Sequence, residues 1–436
     1  MKHNCLRSIV LLGLSAGIGF IPTDLQSASK LLPAFPGAEG FGALATGGRG
    51  GEVYCVTNLE DSGPGSFRDA VKKSGRIVVF NVGGVIRPAS NISVASDVTI
   101  AGQSAPGDGI AIYGRSVSFS GSSNIIVRHL RFREGIKGDR GKCSINISRG
   151  GNMIFDHCSV QWGRWDSLGV TQGSHDITFQ NCIIGEAIDP QRFGAIVDSV
   201  TNVTLSHNLW INNQSRNPKA KGWIQYINNV VYNWGVTGLV GGHSAADHEL
   251  DVIGNYFIKG PASNERFAGQ FIKTDHVFQT GNLADMDRDE KLNGRPVVDA
   301  DFGSGEGAPT FVARRFLSPA IPVTVLSAEE AYAKVLASAG ASLQRDAVDA
   351  RLAATLASLG KDGKIIRDEA EVGGMPELKG GQAPVSTAGD GIPDAWKTAH
   401  GLDPKAAGVA NGDHDQDGYT NIEEYLNDLA TAKRAN

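Results

Sequence analysis

Apolar residues in the middle of the chain recur as short β-branched bursts that end in polar residues: SDVTIAG, NIIVRHL, NMIFDHC, HDITFQN, NVTLSHN, IQYINN, LDVIGN and HVFQTGN. Bursts of this length separated by turn residues are strand signals, not helices. Aligned on their ends, they put Leu130, Cys158, Cys182, Asn208, Asn229, Asn255 and Asn282 in one column, with successive spacings of 28, 24, 26, 21, 26 and 27 residues. A strand signal repeating with a period in the twenties marks a solenoid whose turns stack one on the next. The pattern therefore predicts an all-β fold, a right-handed parallel β-helix over residues 33–285.

The column also has a physical rationale. Amides stacked one per coil at Asn208, Asn229, Asn255 and Asn282 can hydrogen-bond along the solenoid and satisfy buried turn backbone. Packing is preferred to sugar binding for them. Cys158 and Cys182 stand on adjacent coils about 4.8 Å apart, close enough to bridge, with buried thiols the expected state.

Beyond residue 285 the periodicity changes. SAEEAYAKVLASAG (327–340) and RDAVDARLAATLASLG (345–360) have helical spacing, with Ser327 as an N-cap and Gly340 and Gly360 as stops. Residues 286–385 are expected to form a partly helical extension packed on the solenoid, and 386–429 a small calcium-binding module. In DHDQDGYTNIEE (413–424), Asp413, Asp415 and Asp417 occupy positions 1, 3 and 5 of a twelve-residue loop, Gly418 position 6, Tyr419 position 7, Asn421 position 9 and Glu424 position 12. That is the ligand order of an EF-hand calcium loop, Tyr419 contributing its carbonyl. Upstream, DGIPDAWKTAHGLDP reads as a degenerate partner, with Asp390 and Asp394 at positions 5 and 9, Ser386 at 1 and Lys397 at 12. A cation at the bidentate position opposes calcium, so this second loop is expected to be impaired. The pair resembles thrombospondin type 3 and dockerin-like calcium repeats, which implies a role in folding or attachment.

The chain begins MKHNCLRSIVLLGLSAGIGF, cationic residues ahead of an apolar run that small residues follow. This predicts a secretory signal peptide over 1–28, the run being short for a membrane span, and hence a secreted protein without a membrane anchor. Four cysteines follow the leader, too few for a disulfide scaffold. Lys and Arg total 41 against 46 Asp and Glu, a formal net charge of −5. Nothing in that balance points to nucleic acid, and a polyanionic ligand would need a local basic patch. A monomer is expected.

AFPGAEGFGALATGGRGGEVYCVTNLEDSGPGSFRDAV (34–71), AGQSAPGDGIAI (101–112), IIVRHLRFREG (125–135), MIFDHCSVQWG (153–163) and SRNPKAK (215–221) together resemble family 1 polysaccharide lyases, the pectate lyases. The resemblance implies a parallel β-helix and calcium-assisted β-elimination on polygalacturonate. In that reaction a base removes the C5 proton, α to the C6 carboxylate, and the C4 oxygen leaves; the carboxylate charge must be neutralised as it grows. The family's arginine-x-proline motif makes Arg216, in Arg216-Asn217-Pro218, the implied base. Arginine ordinarily stays protonated, and lowering its pKa by about three units costs roughly 4 kcal/mol, which calcium and neighbouring cations would offset.

The resemblance also carries departures. A second arginine often follows five residues later, where this chain has Lys221. Lys219, Lys221 and Arg164 are expected to bind uronate carboxylates. The family's glycine-aspartate-alanine-isoleucine stretch, source of a calcium-ligating aspartate, corresponds to GKCSINI, with Cys143 at or beside the ligand position; calcium prefers oxygen to sulfur. Where relatives read tryptophan-glycine-threonine-aspartate-glutamate, Trp162-Gly163-Arg164-Trp165-Asp166 stands here. Asp166, Glu186 and Asp189 remain as the expected oxygen ligands of a catalytic calcium. Asp156 and His157 are read as structural, and Arg131 and Arg133 as pairing with acids on the next coil rather than binding polyanion. Two other functions stay open: a β-helix that binds acidic polysaccharide without cleaving it, motivated by Cys143 and Trp165, and a hydrolase, which would need two carboxylates at hydrolytic spacing.

Overall fold

The computed structural model describes residues 31–431; the predicted leader over 1–28 lies outside them. Strands stack in parallel with a register of one strand per coil, and among the described residues a single pairing, Leu283–Asp285 with Arg295–Pro296, is antiparallel. The fold is a parallel β-helix with three faces. The 17-stranded sheet spans two of them, because Phe193–Ser206 pairs at its start with Asp166–Thr171 and at its end with His175–Gln180. Its first face holds Ile145–Ser148, Asp166–Thr171, the start of Phe193–Ser206, the start of Lys219–Ile227, Leu239–Val240 and Ala268–Gly269. The second face holds the long β-branched bursts legible in the sequence. The third is the 10-stranded sheet, built from three-residue strands such as Ile183–Gly185 and Leu209–Ile211.

Inward side chains stack along the axis. Phe155 lies 4.3 Å from Phe179, ring on ring, and meets Phe119 edge-on at 5.0 Å. The asparagine column forms a ladder: Asn208 Nδ2 donates to Asn229 Oδ1 at 3.0 Å, Asn229 to Asn255 at 3.1 Å, and Asn255 to Asn282 at 2.9 Å. Each acceptor oxygen also takes the backbone N–H of the preceding ladder residue, so buried amides at every corner are satisfied. Cys158 and Cys182 continue the column as free thiols. At the amino end Gly42 passes so close to the Met153 carbonyl that a Cβ would stand 1.9 Å from it, which requires glycine there.

The extension covers the third face. Helices Ala328–Ser338 and Ala347–Ala357 bury Val335, Leu352 and Leu356 against Ile183, Leu209, Ile211 and Tyr232. Ser327 caps the first helix in a capping box with Glu330. Arg131 and Arg133 are buried and do pair with acids, but the acids are not on the next coil. They are Asp346 and Asp349, more than 200 residues further along, at the start of the second helix. The C-terminal segment is not free-standing either. Ile392, Ile422, Tyr425 and Leu426 pack on Ile77, Val79 and Ala101 of the second face, and Glu423 pairs with Arg49 at 2.8 Å.

Candidate active site on the open face

Between the third face and the first, each coil turns through a short loop, and successive loops bring together residues 163–166, 189–193 and 212–218. Arg216 lies in the last of these, in the left-handed region with φ 60°. Its Nη1 donates to both oxygens of Asp166, at 3.1 and 3.3 Å, and its guanidinium lies over the Phe193 ring at 4.1 Å from the centroid. Two fixed contacts therefore hold a side chain that remains about one-fifth exposed. Asp166 is buried, which raises its carboxyl to about 6, with Arg216 and then Lys219 pulling the other way.

The strand after Arg216 carries the remaining cations. Lys219 and Lys221 alternate on the outward side of Lys219–Ile227. Lys221 pairs with Asp198 at 3.0 Å on the neighbouring strand, whereas Lys219 has no ion pair among the described residues. Burial lowers the Lys219 ammonium, and repulsion from Arg216 and Lys221 lowers it further. Outward neighbours of Lys219 across the first face are Ile196, then Gly169 and Asn146. Lys219, Ile196 and Asn146 are half-buried in this row, and Gly169 is buried, a Cβ there standing 3.1 Å from the Cys143 sulfur.

Arg164 does not join this patch. Its Nη1 donates to the Gly138 carbonyl at 3.0 Å and its Nε to the Asp189 carbonyl at 3.3 Å, so it braces two loops while its charge is left without an ion pair among the described residues. The calcium set expected from Asp166, Glu186 and Asp189 also needs correction. Glu186 is buried beneath the extension, forked by Arg351 at 2.6 and 2.8 Å. The Asp189 carboxylate faces Arg192 at 3.3 Å, and Asp166 is taken by Arg216. Cys143 is buried, its thiol pushed up first by burial and then by Asp166. Among the described residues, only His129/Asp156/His157 and Asp413/Asp415/Asp417 bring three candidate ligand atoms within 4.8 Å of one another. The cleft residues therefore do not fit a calcium held by the protein alone.

Two groups at the site were not singled out from the sequence. Phe193 supplies the ring under Arg216, and its signal was only that it opens a coil opposite Asp166. Glu134, in the RHLRFREG stretch, is raised by burial to about 7 and accepts the Arg164 backbone N–H at 3.3 Å. Asp156 is saturated by Arg128, His157, Gln180 and Asn181, so it is a structural anchor for its corner.

At the C-terminal loop the carboxylates of Asp413, Asp415 and Asp417 converge. Glu424 faces them: burial first, then the charges of Asp417 and Asp415, raise it to about 7. Gly418 takes φ 102°, the sharp turn the loop requires. Crowded carboxylates on oxygen-rich geometry fit a calcium ion. Asn421 differs from its expected role: its Oδ1 accepts the His414 N–H and its Nδ2 donates to the Val409 carbonyl at 2.7 Å, so it holds the loop to the helix Asn421–Thr431. Tyr419 stands in the turn with its hydroxyl donating to the Pro33 carbonyl at 3.1 Å. In the degenerate loop, the buried Lys397 ammonium lies 2.7 Å from Asp390 and 3.4 Å from the Pro404 carbonyl. A side-chain cation sits where the ion's bidentate ligand would be.

The chain was compared with known proteins. It is 45% identical over 409 residues to a probable pectate lyase C of Aspergillus flavus, covering 93% of this chain and 96% of the relative. To the probable pectate lyase C of Emericella nidulans it is 44% identical over 404 residues, covering 93% and 94%. Among solved structures, a thermostable pectate lyase superposes with a TM-score of 0.50 at 17% identity, covering 73% of this chain and 99% of that one, a likeness of fold. No family model matches.

Proposed function

Since the chain belongs to the pectate lyase family and is a polysaccharide lyase, we propose that it is an exported enzyme that cleaves polygalacturonate by β-elimination at Arg216. The observation that carries this reading is the placement of Arg216: fixed by Asp166 and Phe193 at the edge of an uncovered face, with Lys219 and Lys221 alongside. A uronate lying on that face would meet two or three cations. They neutralise the carboxylate as Arg216 takes the C5 proton and electron density moves onto C6; the C4–C5 double bond then forms as the C4–O bond breaks, and the departing oxygen takes a proton from solvent. Cation density at the carboxylate is then supplied by side chains, and no step is routed through a calcium ion in the cleft. Calcium instead belongs to Asp413, Asp415, Asp417 and Glu424, with the Tyr419 carbonyl, where it would fasten the C-terminal helix to the solenoid. The enzyme acts as a monomer.

One observation favours a second assignment of the base. Asp166 and the Phe193 ring both attract a cationic Arg216, whereas Lys219 is held below its ordinary proton affinity by burial and by Arg216. In that variant Lys219 takes the C5 proton and Arg216 neutralises the carboxylate. The test is the ultraviolet absorbance of the unsaturated product from polygalacturonate, followed for the wild type, Arg216→Ala, Arg216→Lys, Lys219→Ala and Lys219→Arg across pH. Loss of activity in Arg216→Lys with Lys219→Arg active supports Arg216 as base; the reverse pattern supports Lys219. New reducing ends without absorbance would mean hydrolysis, and binding of polymer with neither signal would mean a binding protein.

A further inference from the structure

Residues 34–48 lie across the second face as a strap. The Phe41 and Gly42 N–H groups donate to the Thr204 and Thr178 hydroxyls at 3.2 and 2.9 Å, and Gly42 passes over the Met153 carbonyl. Further along, the Thr46 and Gly47 N–H groups donate to Asn124 Oδ1 at 2.7 and 3.1 Å, and the Gly48 N–H donates to Thr99 Oγ1 at 3.0 Å. Thr99, Asn124, Met153, Thr178 and Thr204 belong to five successive strands of that face. One segment therefore ties five coils together, and it folds back on itself, the Ala34 N–H donating to the Ala43 carbonyl at 2.7 Å. The return brings its ends to one place, where Arg49 Nη2 donates to the Pro33 carbonyl at 3.5 Å.

The C-terminal loop holds both ends through two side chains. The Tyr419 hydroxyl donates to the Pro33 carbonyl at 3.1 Å, and Glu423 accepts from Arg49 Nε on both oxygens, at 2.8 and 3.0 Å. The Arg49 guanidinium also lies 5.2 Å from the centroid of the Tyr419 ring. Within the loop these two residues alternate with the positions assigned to the ion. Tyr419 offers its carbonyl at position 7, and Glu424 its carboxylate at position 12, directly after Glu423, whose Oε2 accepts the Thr420 N–H at 2.9 Å. An ion that draws the loop together therefore fixes Tyr419 and Glu423, and through them the strap, without touching the strap itself.

Resting on the calcium reading of this loop, we infer that calcium closes a clasp on the strap, with Tyr419 and Glu423 as its two catches, so that an ion bound near the carboxyl end steadies coils near the amino end. The free energy of ion binding then appears as resistance of the strap to local opening. Calcium loops of extracellular modules bind with a Kd of about 10⁻⁴–10⁻³ M. The clasp of an exported chain is therefore open at the low calcium of a cytoplasm and closes outside the cell.

The experiment is hydrogen exchange of the full chain, read by mass spectrometry on peptides covering residues 33–51, with millimolar calcium and with chelator, beside calorimetry of calcium binding. In the wild type, chelator should speed exchange of these peptides on the order of tenfold. Tyr419→Phe removes the hydroxyl and keeps the carbonyl, and Glu423→Gln weakens the grip on Arg49 without altering a position assigned to the ion. Both variants should still bind calcium and should lose most of the protection that calcium confers on 33–51. Calcium binding to the wild type with no change in exchange at 33–51 overturns the clasp and leaves the calcium reading standing. Protection that calcium confers equally on all three proteins overturns the two catches. No calcium binding by the wild type overturns the calcium reading and the clasp with it.

Discussion

Replacing Asp166 with asparagine should make the protein more stable and less active, and the stability gain should depend on pH. Asp166 is fully buried, and its carboxyl is raised from 3.8 to about 6 because burial outweighs the attraction of Arg216 and Lys219. A group that holds its proton more tightly when folded opposes folding once it ionises. Its contribution is intact below 3.8 and is lost as pH rises through 6. A displacement of about two pH units at 1.36 kcal/mol each amounts to about 3 kcal/mol at pH 8 and only about 0.5 kcal/mol at pH 4. Asparagine has the same shape and no such charge. Arg216, about one-fifth exposed, can turn its freed Nη1 to water, which keeps the loss of the ion pair small.

Urea unfolding of the wild type and Asp166→Asn at pH 4, 6 and 8 measures the difference. It should grow from near zero at pH 4 to about 2–3 kcal/mol in favour of the variant at pH 8. If Arg216 acts on the substrate as proposed, activity should fall by about 10²-fold, since a side chain released from one of its two anchors spends little time in place. Such a trade, a costly buried charge kept to aim a functional group, is typical of active sites. A variant that is less stable at pH 8 than at pH 4 relative to wild type would show that Asp166 stabilises the fold through Arg216, and would refute the argument.

Three further outcomes follow from other contacts. Removing the buried ammonium by Lys397→Ala leaves Asp390 without its cation and should cost about 2–4 kcal/mol, whereas Lys397→Glu should make the melting temperature respond to calcium where the alanine variant's upstream loop does not; parallel thermal melts with calcium and with chelator read both. Glu424, held near 7 by burial and by Asp417 and Asp415, must lose its proton to ligate a cation. Calcium should therefore release protons and bind more weakly as pH falls from 8 to 6, seen by calorimetry in buffers of different ionisation enthalpy, and Glu424→Gln should abolish that proton release. Asp349→Ala breaks a buried network in which the carboxylate accepts from Arg133 at 3.0 Å, Ser159 at 2.6 Å and Gln161 at 3.0 Å; a loss of about 3–5 kcal/mol in urea unfolding is expected.

The solenoid was legible because its repeat is written in side chains that face inward. Asn208, Asn229, Asn255 and Asn282 recur at the same corner for one reason, the satisfaction of turn backbone, so period and function coincide. The third face was not legible: strands of three residues such as Ile183–Gly185 carry no periodic signal, and their outward apolar residues are explained only by the helices that cover them. Cleft ligands failed for a related reason. Glu186 reads as a free acid in sequence, and only the tertiary approach of Arg351, 165 residues away, reveals it as half of an ion pair. Arg164 reads as a free cation, yet carbonyls at Gly138 and Asp189 use its donors. Arg216 was identifiable from its proline motif, but its dependence on Phe193 was not, because the ring comes from the preceding coil.

Where the site lies follows from which faces the rest of the chain covers. A three-faced solenoid with apolar outward positions must bury them, and each non-solenoid segment attends to one face. Ala34, Phe35 and Ala38 pack on Ile126 and Ile154 of the second face, Ile422 and Leu426 on Ile77 and Val79, and Val323 on Ile227 and Ile253. Helices 328–338 and 347–357 take the third face. The first face is different: apart from Ile196 and Val240, its outward positions at Ser118, Asn146, Ser148, Thr171, Asp198, Lys219 and Lys221 are polar and half-buried. Polar residues there give a covering segment little apolar surface to bury, so half-buried polar side chains line the face from Ser118 to Lys221, and it is charged where Arg216 reaches it. The same outward alternation that leaves this face uncovered supplies its cations, so the open surface and the chemistry on it share one origin in the strand pattern.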